Sequence, residues 1–407
     1  MTLPFTISRY LRPFLDEQGE PVLDNGVTGQ RERLSPLERA IVEALWDEGA
    51  APERLSAVVA AHGQAAVQPA ILSLYERAVI FESHAAADEL LDELLDARCP
   101  RVPFLDQIEL TNRCPMRCGF CPRGVPGKMS RPTGFMELAL FRRLLEQLPD
   151  GQAAYRPLEL HHLGESLLHP QVADFVAAAT ERGLPTEMSV NPSLLTPELG
   201  RRLLDAGLRR LVVSLDGLDD PTLVRIRGPA ARYTRAEPNL EALVDEVAAR
   251  GDAAPQIVIQ MIDLHANRDQ HAAFLLRWGT TGLKTVTAYI KALDGPDPDD
   301  GEAGTAGREP LRYLCSYPFR SVVVLWDGRV VPCCRDDDGR LILGDLNRQT
   351  LEEIWHGPVA RELRRRHRRN ELPKGHLCSG CAWSRASFAA AHPSRHPSTA
   401  RRAPLQW

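Results

Sequence analysis

From residue 104 to residue 290, apolar runs of strand length alternate with amphipathic stretches of helical length, and no other feature constrains the fold as tightly. The pattern predicts strands over 105–111, 157–162, 186–191, 209–215, 256–262 and 284–290. Between them it predicts helices over 137–148, 170–183, 196–207, 238–251 and 268–279. Strands and helices in alternation build a parallel sheet, and such sheets bind ligands at the carboxyl ends of their strands. Six units fall short of a closed eight-fold barrel, so the expected fold class is α/β with an open, partial (β/α)6 barrel.

The flanks read differently. Residues 1–34 hold short apolar stretches broken at Asp16-Glu-Gln-Gly and Asp24-Asn-Gly, a pattern that suits a small β-ribbon. Ser35-Pro36-Leu37-Glu38 then supplies an N-cap, a first-turn proline and a capping-box glutamate. Leu37, Ile41 and Leu45 mark one helix, Leu55, Val58 and Val59 a second, Val67, Ile71 and Leu74 a third, and Val79-Ile80-Phe81 a strand. The predicted organisation is a winged-helix-like domain over 1–100, the barrel over 101–291 and a Gly-, Pro- and Asp-rich linker over 292–312. A small α+β domain follows over 313–385, with strands at Ser321-Val-Val-Val-Leu and Arg329-Val-Val and a helix near 351–366, then a tail over 386–407.

Composition narrows the class of function. A formal charge of −5 gives no general affinity for nucleic acid or anionic membrane. No apolar run approaches the ~18 residues of a membrane span, and the start, Met1-Thr-Leu-Pro-Phe-Thr, lacks the basic and apolar regions of a signal peptide. A cytoplasmic protein is expected. In that compartment an odd count of 9 cysteines argues for metal binding or catalysis rather than disulfides. Eight of them cluster, in 114–121, 315–334 and 378–381, and Cys99 stands apart.

Cys114, Cys118 and Cys121 lie in Leu110-Thr-Asn-Arg-Cys-Pro-Met-Arg-Cys-Gly-Phe-Cys-Pro, just past the first strand, with C-x3-C-x2-C spacing. A cubane [4Fe–4S] cluster has four irons; three thiolates cover three and leave one open to a substrate. A zinc ion is the competing occupant. It needs a fourth ligand, whereas the nearest further cysteine, Cys99, precedes the strand. Cys315, Cys333 and the pair Cys378-Ser-Gly-Cys381 form a second set, which by spacing alone suits either a structural zinc or a fully ligated [4Fe–4S] cluster.

These motifs resemble the radical S-adenosylmethionine (SAM) superfamily over residues 104–290, with Phe120 as the aromatic before the last cysteine of the loop. His161-His-Leu-Gly164-Glu165-Ser is similar to the family's Gly-Gly-Glu-Pro element, in which backbone and glutamate hold the methionine amino group; here Leu163 and Ser166 replace the first glycine and the proline. Ser189-Val-Asn191 resembles the ribose-contacting segment, Ser214-Leu-Asp216-Gly another recurrent element, and Arg227 is placed to meet the methionine carboxylate. The resemblance implies an enzyme that cleaves SAM to a 5′-deoxyadenosyl radical and abstracts hydrogen from a C–H bond. It implies as cofactors SAM and an open [4Fe–4S] cluster, with an electron donor such as ferredoxin or flavodoxin as partner.

Val323-Val-Leu-Trp-Asp-Gly-Arg-Val-Val-Pro-Cys333-Cys334, Leu343-Gly-Asp-Leu and Leu351-Glu-Glu-Ile-Trp355 resemble the SPASM extension, here in its shortened "twitch" form. That implies one auxiliary [4Fe–4S] cluster on Cys315, Cys333, Cys378 and Cys381, suited to passing an electron during oxidation or cross-linking. Cys334 and Cys99 are left as inert core thiols or as hydrogen donors of the kind an epimerase uses.

The substrate is less legible. The N-terminal module is similar to small domains that bind leader peptides, with Ser8-Arg-Tyr and Asn25-Gly-Val-Thr-Gly in that style, and a peptide adding a strand to its ribbon is the expected mode. A domain that merely caps the barrel is the alternative. A DNA-reading helix is disfavoured, because residues 65–77 offer Arg77 alone as a cation. Against peptide oxidation, cross-linking or epimerisation stand a twitch-type dehydrogenase of an aminocyclitol or sugar alcohol and a non-catalytic zinc adaptor. Gln260, Tyr289 and Lys291 are candidate pocket residues, and the Arg361–Arg369 run reads as a solvated helix face or a contact for an acidic substrate.

Overall fold

In the computed structural model, the described residues are 5–8, 11–15, 21–25, 31–46, 51–87, 89–90, 93, 99–251, 254–293, 315–369, 371–379 and 381. They fall into two compact units. One takes in the residues up to Cys99, 315–320 and those from Glu362 on; the other runs from Pro100 to 293 and from Ser321 to Arg361. Most of the expected linker over 292–312 and all of the expected tail over 386–407 lie outside the described residues.

In the first unit, β1 (Thr6–Ile7) pairs antiparallel with β5 (Ile80–Phe81), while β2 (Leu11–Leu15), β3 (Pro21–Asn25) and β4 (Arg31–Glu32) form an antiparallel sheet in that order. The ribbon read from the sequence is therefore three strands plus one that pairs with residues far along the chain. Helices Pro36–Trp46, Ala51–His62 and Gln64–Glu76 follow their expected apolar stripes. Ile41, Leu45, Leu55, Val67, Ile71 and Leu74 meet Ile7, Leu11, Leu23 and Ile80 in one core. The capping box forms: Ser35 N donates to Glu38 at 2.8 Å and Glu38 N donates to Ser35 Oγ at 3.3 Å. Arg77 is ion-paired to Glu38 at 2.5 Å and to Glu32 at 3.3 Å. Its charge is thus directed inward, away from any phosphate.

In the second unit, β6 (Phe104–Ile108), β7 (Leu158–Glu159), β8 (Thr186–Val190), β9 (Arg210–Ser214), β10 (Gln256–Asp263) and β11 (Val286–Ala292) run parallel in chain order, as the alternation predicts. Helices Leu138–Leu145, Val172–Glu181, Pro197–Asp205, Tyr233–Arg250 and His271–Trp278 connect them. Another helix, Asp220–Arg227, occupies a stretch between predicted elements; the Asp219 carboxylate caps it by accepting from Thr222 N at 2.7 Å.

The sheet does not stop at six strands. β12 (Ser321–Val324) adds in parallel to the edge of β6, pairing Ser321 with Phe104 and Val324 with Ile108, and β13 (Arg329–Val331) and β14 (Gly344–Asp345) continue antiparallel to make nine. The described residues of the stretch read as one C-terminal domain over 313–385 are divided accordingly: 321–361 joins the barrel, and 315–320, 362–369, 371–379 and 381 lie in the other unit. Strand alternation sorts the side chains. Leu158, Met188, Leu211, Val213, Ile257, Ile259 and Met261 are all at most 1% exposed and make the apolar face. The opposite face carries a row of polar side chains in register: Gln107, Glu159, Glu187, Arg210 and Gln256.

Candidate active site

The three-cysteine loop leaves the carboxyl end of β6 and is pinned at both ends. On its return leg Arg131 makes a two-pronged ion pair with Glu109, at 2.6 and 2.5 Å, with both side chains buried. Within the loop, Cys118 O accepts from Cys121 N at 3.1 Å and Cys121 O from Gly124 N at 2.9 Å. A Cβ on Gly124 would lie 2.2 Å from Cys118 O, so only glycine lets the chain double back there. Arg117 N donates to Arg227 O at 2.8 Å, tying the loop to the end of helix Asp220–Arg227.

Among the expected SAM contacts, Glu165 and Arg227 are tied directly to this loop, Asp216 through Arg227 and Asn191 through Glu165. After β7 the chain turns at Gly164, whose φ of +101° and potential Cβ contact with Thr111 O at 2.3 Å exclude any side chain. Glu165 N then donates to Arg113 O at 2.8 Å, which sets its side chain beside the cysteines. The Glu165 carboxylate is buried and accepts from Asn191 N at 2.8 Å and Leu167 N at 3.1 Å; loss of solvent nevertheless pushes it up to about 7. Ser166 keeps the turn without the family's proline, through Oγ donating to Leu160 O at 2.7 Å. Ser189 is half-buried on β8. Asn191 is buried, accepts from Ser193 N at 2.9 Å, and leaves its Nδ2 enclosed with no partner.

Asp216 is fully buried, and both of its carboxylate oxygens are engaged. Oδ1 accepts from Ile262 N at 2.8 Å, and Oδ2 accepts from Arg227 at 2.6 and 2.5 Å. It therefore orients Arg227. The Arg227 guanidinium lies 5.7 Å from the centre of the Phe120 ring and directs Nη1 toward Cys118 Sγ at 4.0 Å. Burial opposes its charge, but Asp216 and the cysteines outweigh that and hold it firmly protonated. Ser214 Oγ accepts from Gln260 Nε2 at 3.0 Å, and Gln260 Oε1 accepts from the Tyr289 hydroxyl at 3.0 Å, so two of the three pocket candidates meet beside a predicted contact. Lys291 is half-buried on β11.

The chemistry of these donors fits an iron–sulfur cluster. Burial pushes the Cys114 thiol up to about 12 and raises that of Cys118, with neighbouring cysteines and Glu165 adding to the effect on Cys114. Protons held that tightly leave when a metal takes the thiolates. Among the described residues no three His, Cys, Asp or Glu side chains converge on a single ion position. A cubane needs no such convergence, because each thiolate takes a different iron. The unpartnered Asn191 Nδ2 beside Glu165 is a donor left for a bound molecule.

The second cysteine set is spread along the chain. Cys333 and Cys334 follow β13 in the barrel unit, where burial pushes Cys334 up to about 11. Cys315, buried, and Cys378 and Cys381, half-buried, belong to the other unit, as does half-buried Cys99. Cys381 N donates to Cys378 O at 3.4 Å, closing the CxxC turn. The arginine run is not one solvated face: Arg364 is buried, donating to Pro318 O at 3.3 Å, and His367 is buried too.

Residues 108–248 match the Radical SAM superfamily and residues 315–382 match the SPASM iron–sulfur cluster-binding domain. The chain is 30% identical over 320 residues to the PqqA peptide cyclase of Rhodopseudomonas palustris, covering 70% of this chain and 81% of that protein. It is 23% identical over 278 residues to the S-adenosyl-L-methionine-dependent 2-deoxy-scyllo-inosamine dehydrogenase of Niallia circulans, covering 68% and 91%. Streptococcus suis SuiB, solved bound to its precursor peptide SuiA, aligns over 88% of this chain and 90% of its own at 15% identity and a TM-score of 0.48.

The protein belongs to the radical SAM superfamily and carries a SPASM domain. It is an enzyme that uses SAM and [4Fe–4S] clusters, which when bound supply the electron and the 5′-deoxyadenosyl radical that removes hydrogen from a C–H bond.

Sequence reasoning passed over the Glu109–Arg131 clamp and the histidines of the second strand end. Both lie at long range from their partners. The one local signal was a polar run, Glu159-Leu-His-His, inside a segment read as an apolar strand.

Proposed function

We propose that the enzyme oxidatively modifies a peptide, forming a cross-link or removing hydrogen at a side chain. The observation that carries this reading is the 30% identity to a peptide cyclase over 81% of that protein's length. The N-terminal module supports it: β2 and β4 are the outer strands of their small sheet, and a peptide segment adds to such an edge through main-chain hydrogen bonds.

In this reading Cys114, Cys118 and Cys121 hold the cluster that cleaves SAM. Glu165 and the backbone after Gly164 receive the methionine amino group. Arg227, aimed by Asp216 and backed by Phe120, receives the carboxylate, and Asn191 Nδ2 and Ser189 meet the ribose. Cys315, Cys333, Cys378 and Cys381 would hold the auxiliary cluster, which would offer a one-electron acceptor for oxidation of the substrate. A ferredoxin- or flavodoxin-type donor supplies the initial electron. The location is cytoplasmic, in keeping with nine cysteines in a chain where no described helix is long and apolar enough to cross a membrane.

A second reading, oxidation of a secondary alcohol in a small polyol or aminocyclitol, is favoured by alignment over 91% of a dehydrogenase of that kind. Removing residues 1–98 separates the two. Turnover of a precursor peptide should be lost while SAM cleavage persists. Unchanged peptide turnover by the folded truncation, or turnover of an aminocyclitol in its place, rejects the peptide reading.

A further inference from the structure

Just past β7, two adjacent half-buried histidines lie on the polar side of the barrel sheet, and none of the roles assigned above uses them. His162 Nδ1 lies 2.8 Å from Gln107 Oε1, and Gln107 Nε2 lies 2.8 Å from Glu159 Oε2. The other oxygen of Glu159 accepts from Arg156, which also donates to Asp106 at 2.5 Å. The far ring nitrogen, His162 Nε2, is enclosed and has no hydrogen-bond partner.

The direction of each hydrogen bond follows from chemistry. A carboxylate ion-paired to Arg156 can only accept, so Gln107 must present its NH2 to Glu159. The amide is thereby oriented, and its carbonyl oxygen, which can only accept, faces His162 Nδ1. Nδ1 must then carry the proton. Burial, with the charge of Arg131 adding to it, pushes the ring down to about 3, so it is neutral and Nε2 keeps a bare lone pair. His161 repeats the pattern more loosely: its Nε2 faces Glu159 Oε2 at 3.6 Å, and its Nδ1 is enclosed without a partner.

Buried acceptors without partners are rare in folded proteins, and each calls for a ligand or an ordered water. The surroundings select the ligand. Arg156, Lys291 and Arg210 act on His161, and Arg131 acts on His162, so a cationic donor is disfavoured. A carboxylate has no proton to give. We propose that His162 Nε2, locked as an acceptor by the Gln107–Glu159 relay, reads a neutral donor group of the substrate, a hydroxyl or an amide N–H. The proposal rests on the radical-enzyme reading for the existence of a substrate there. The tautomer it requires can be tested independently.

The test is long-range imidazole 15N–1H NMR on full-length holoenzyme labelled at histidine. His162 should show a protonated Nδ1 and a bare Nε2 at pH 7, and Gln107→Met should release the lock so that the Nε2–H tautomer appears. Scyllo-inositol and N-methylacetamide, as donor probes, should move the Nε2 resonance, and acetate should not. A wild-type ring protonated at Nε2, a charged ring at pH 7, or a tautomer indifferent to Gln107→Met overturns the relay. A bare Nε2 that neither donor probe moves, or that acetate moves equally, overturns the recognition role. Formation of 5′-deoxyadenosine in the same sample reports on the radical reading separately.

Discussion

Glu165 is a buried carboxyl whose ionisation costs the fold stability. Its ordinary value of 4.5 is raised to about 7 by burial, despite two backbone N–H donors. The sign of the stability effect follows directly. The unfolded chain ionises this group at a lower pH than the folded chain, so folding stability falls as pH rises from 4.5 to about 7 and stays reduced above. At ~1.4 kcal/mol per pH unit the deficit at pH 8 is about 3 kcal/mol. Glu165→Gln removes the charge but leaves one of the two backbone donors facing an NH2, a loss of about 1–2 kcal/mol. The variant should therefore be more stable than wild type at pH 8 by about 1–2 kcal/mol, a rise of ~2–4 °C per kcal/mol in Tm. Its SAM binding should move the other way. An ionised acceptor buried against the amino group contributes ~1.5–3 kcal/mol, so Kd should rise by roughly 10- to 150-fold at pH 8. Below pH 7 the wild-type carboxyl is itself protonated, and the ratio of variant to wild-type Kd should shrink toward one by pH 6. Taking the ratio cancels protonation of SAM. Calorimetric titration of anaerobic, reconstituted protein at the two pH values gives the ratio, and differential scanning gives Tm. A ratio independent of pH, or a variant less stable than wild type at pH 8, would refute the assignment of Glu165.

Three further outcomes are expected. Arg131→Met strands the buried Glu109 carboxylate and should lower stability by about 3–5 kcal/mol in denaturant unfolding, while Arg131→Met with Glu109→Leu should recover most of it. Asp216→Asn keeps an acceptor for Ile262 N but leaves the Arg227 charge uncompensated; SAM Kd should rise at least tenfold by the same titration, with cluster content unchanged on iron analysis. Cys333→Ala should lower iron from about eight to about four per chain and spare 5′-deoxyadenosine formation, yet block product in chromatographic assay.

The barrel was legible because its signal is local. Strands buried against crossover helices read as apolar runs, and the helices carry their stripes, so six of six parallel strands fall where the sequence places them. The cysteine loop and the Gly164–Glu165 turn were legible through spacing. What stayed hidden depends on distant partners. Nothing in Ser321-Val-Val-Val indicates that it will pair with Phe104–Ile108, and so extend the barrel sheet, rather than found a separate domain. Helix Asp220–Arg227 buries only Leu223 and Ile226, too few to give a periodicity. Asp216 read as a cofactor contact, but its role is set by Arg227 and Ile262 N, which only folding brings to it. The two histidines were hidden for the same reason, because their partner Gln107 comes from the first strand.

In the proposed function the loop Cys114–Cys121 starts the radical chemistry. Its most direct test replaces all three cysteines by Ala in the full-length, anaerobically reconstituted protein and measures 5′-deoxyadenosine after reduction in the presence of SAM. Production should fall to the level without enzyme while about four irons per chain remain on the auxiliary cysteines. Production of 5′-deoxyadenosine at the wild-type rate by the triple variant would contradict it.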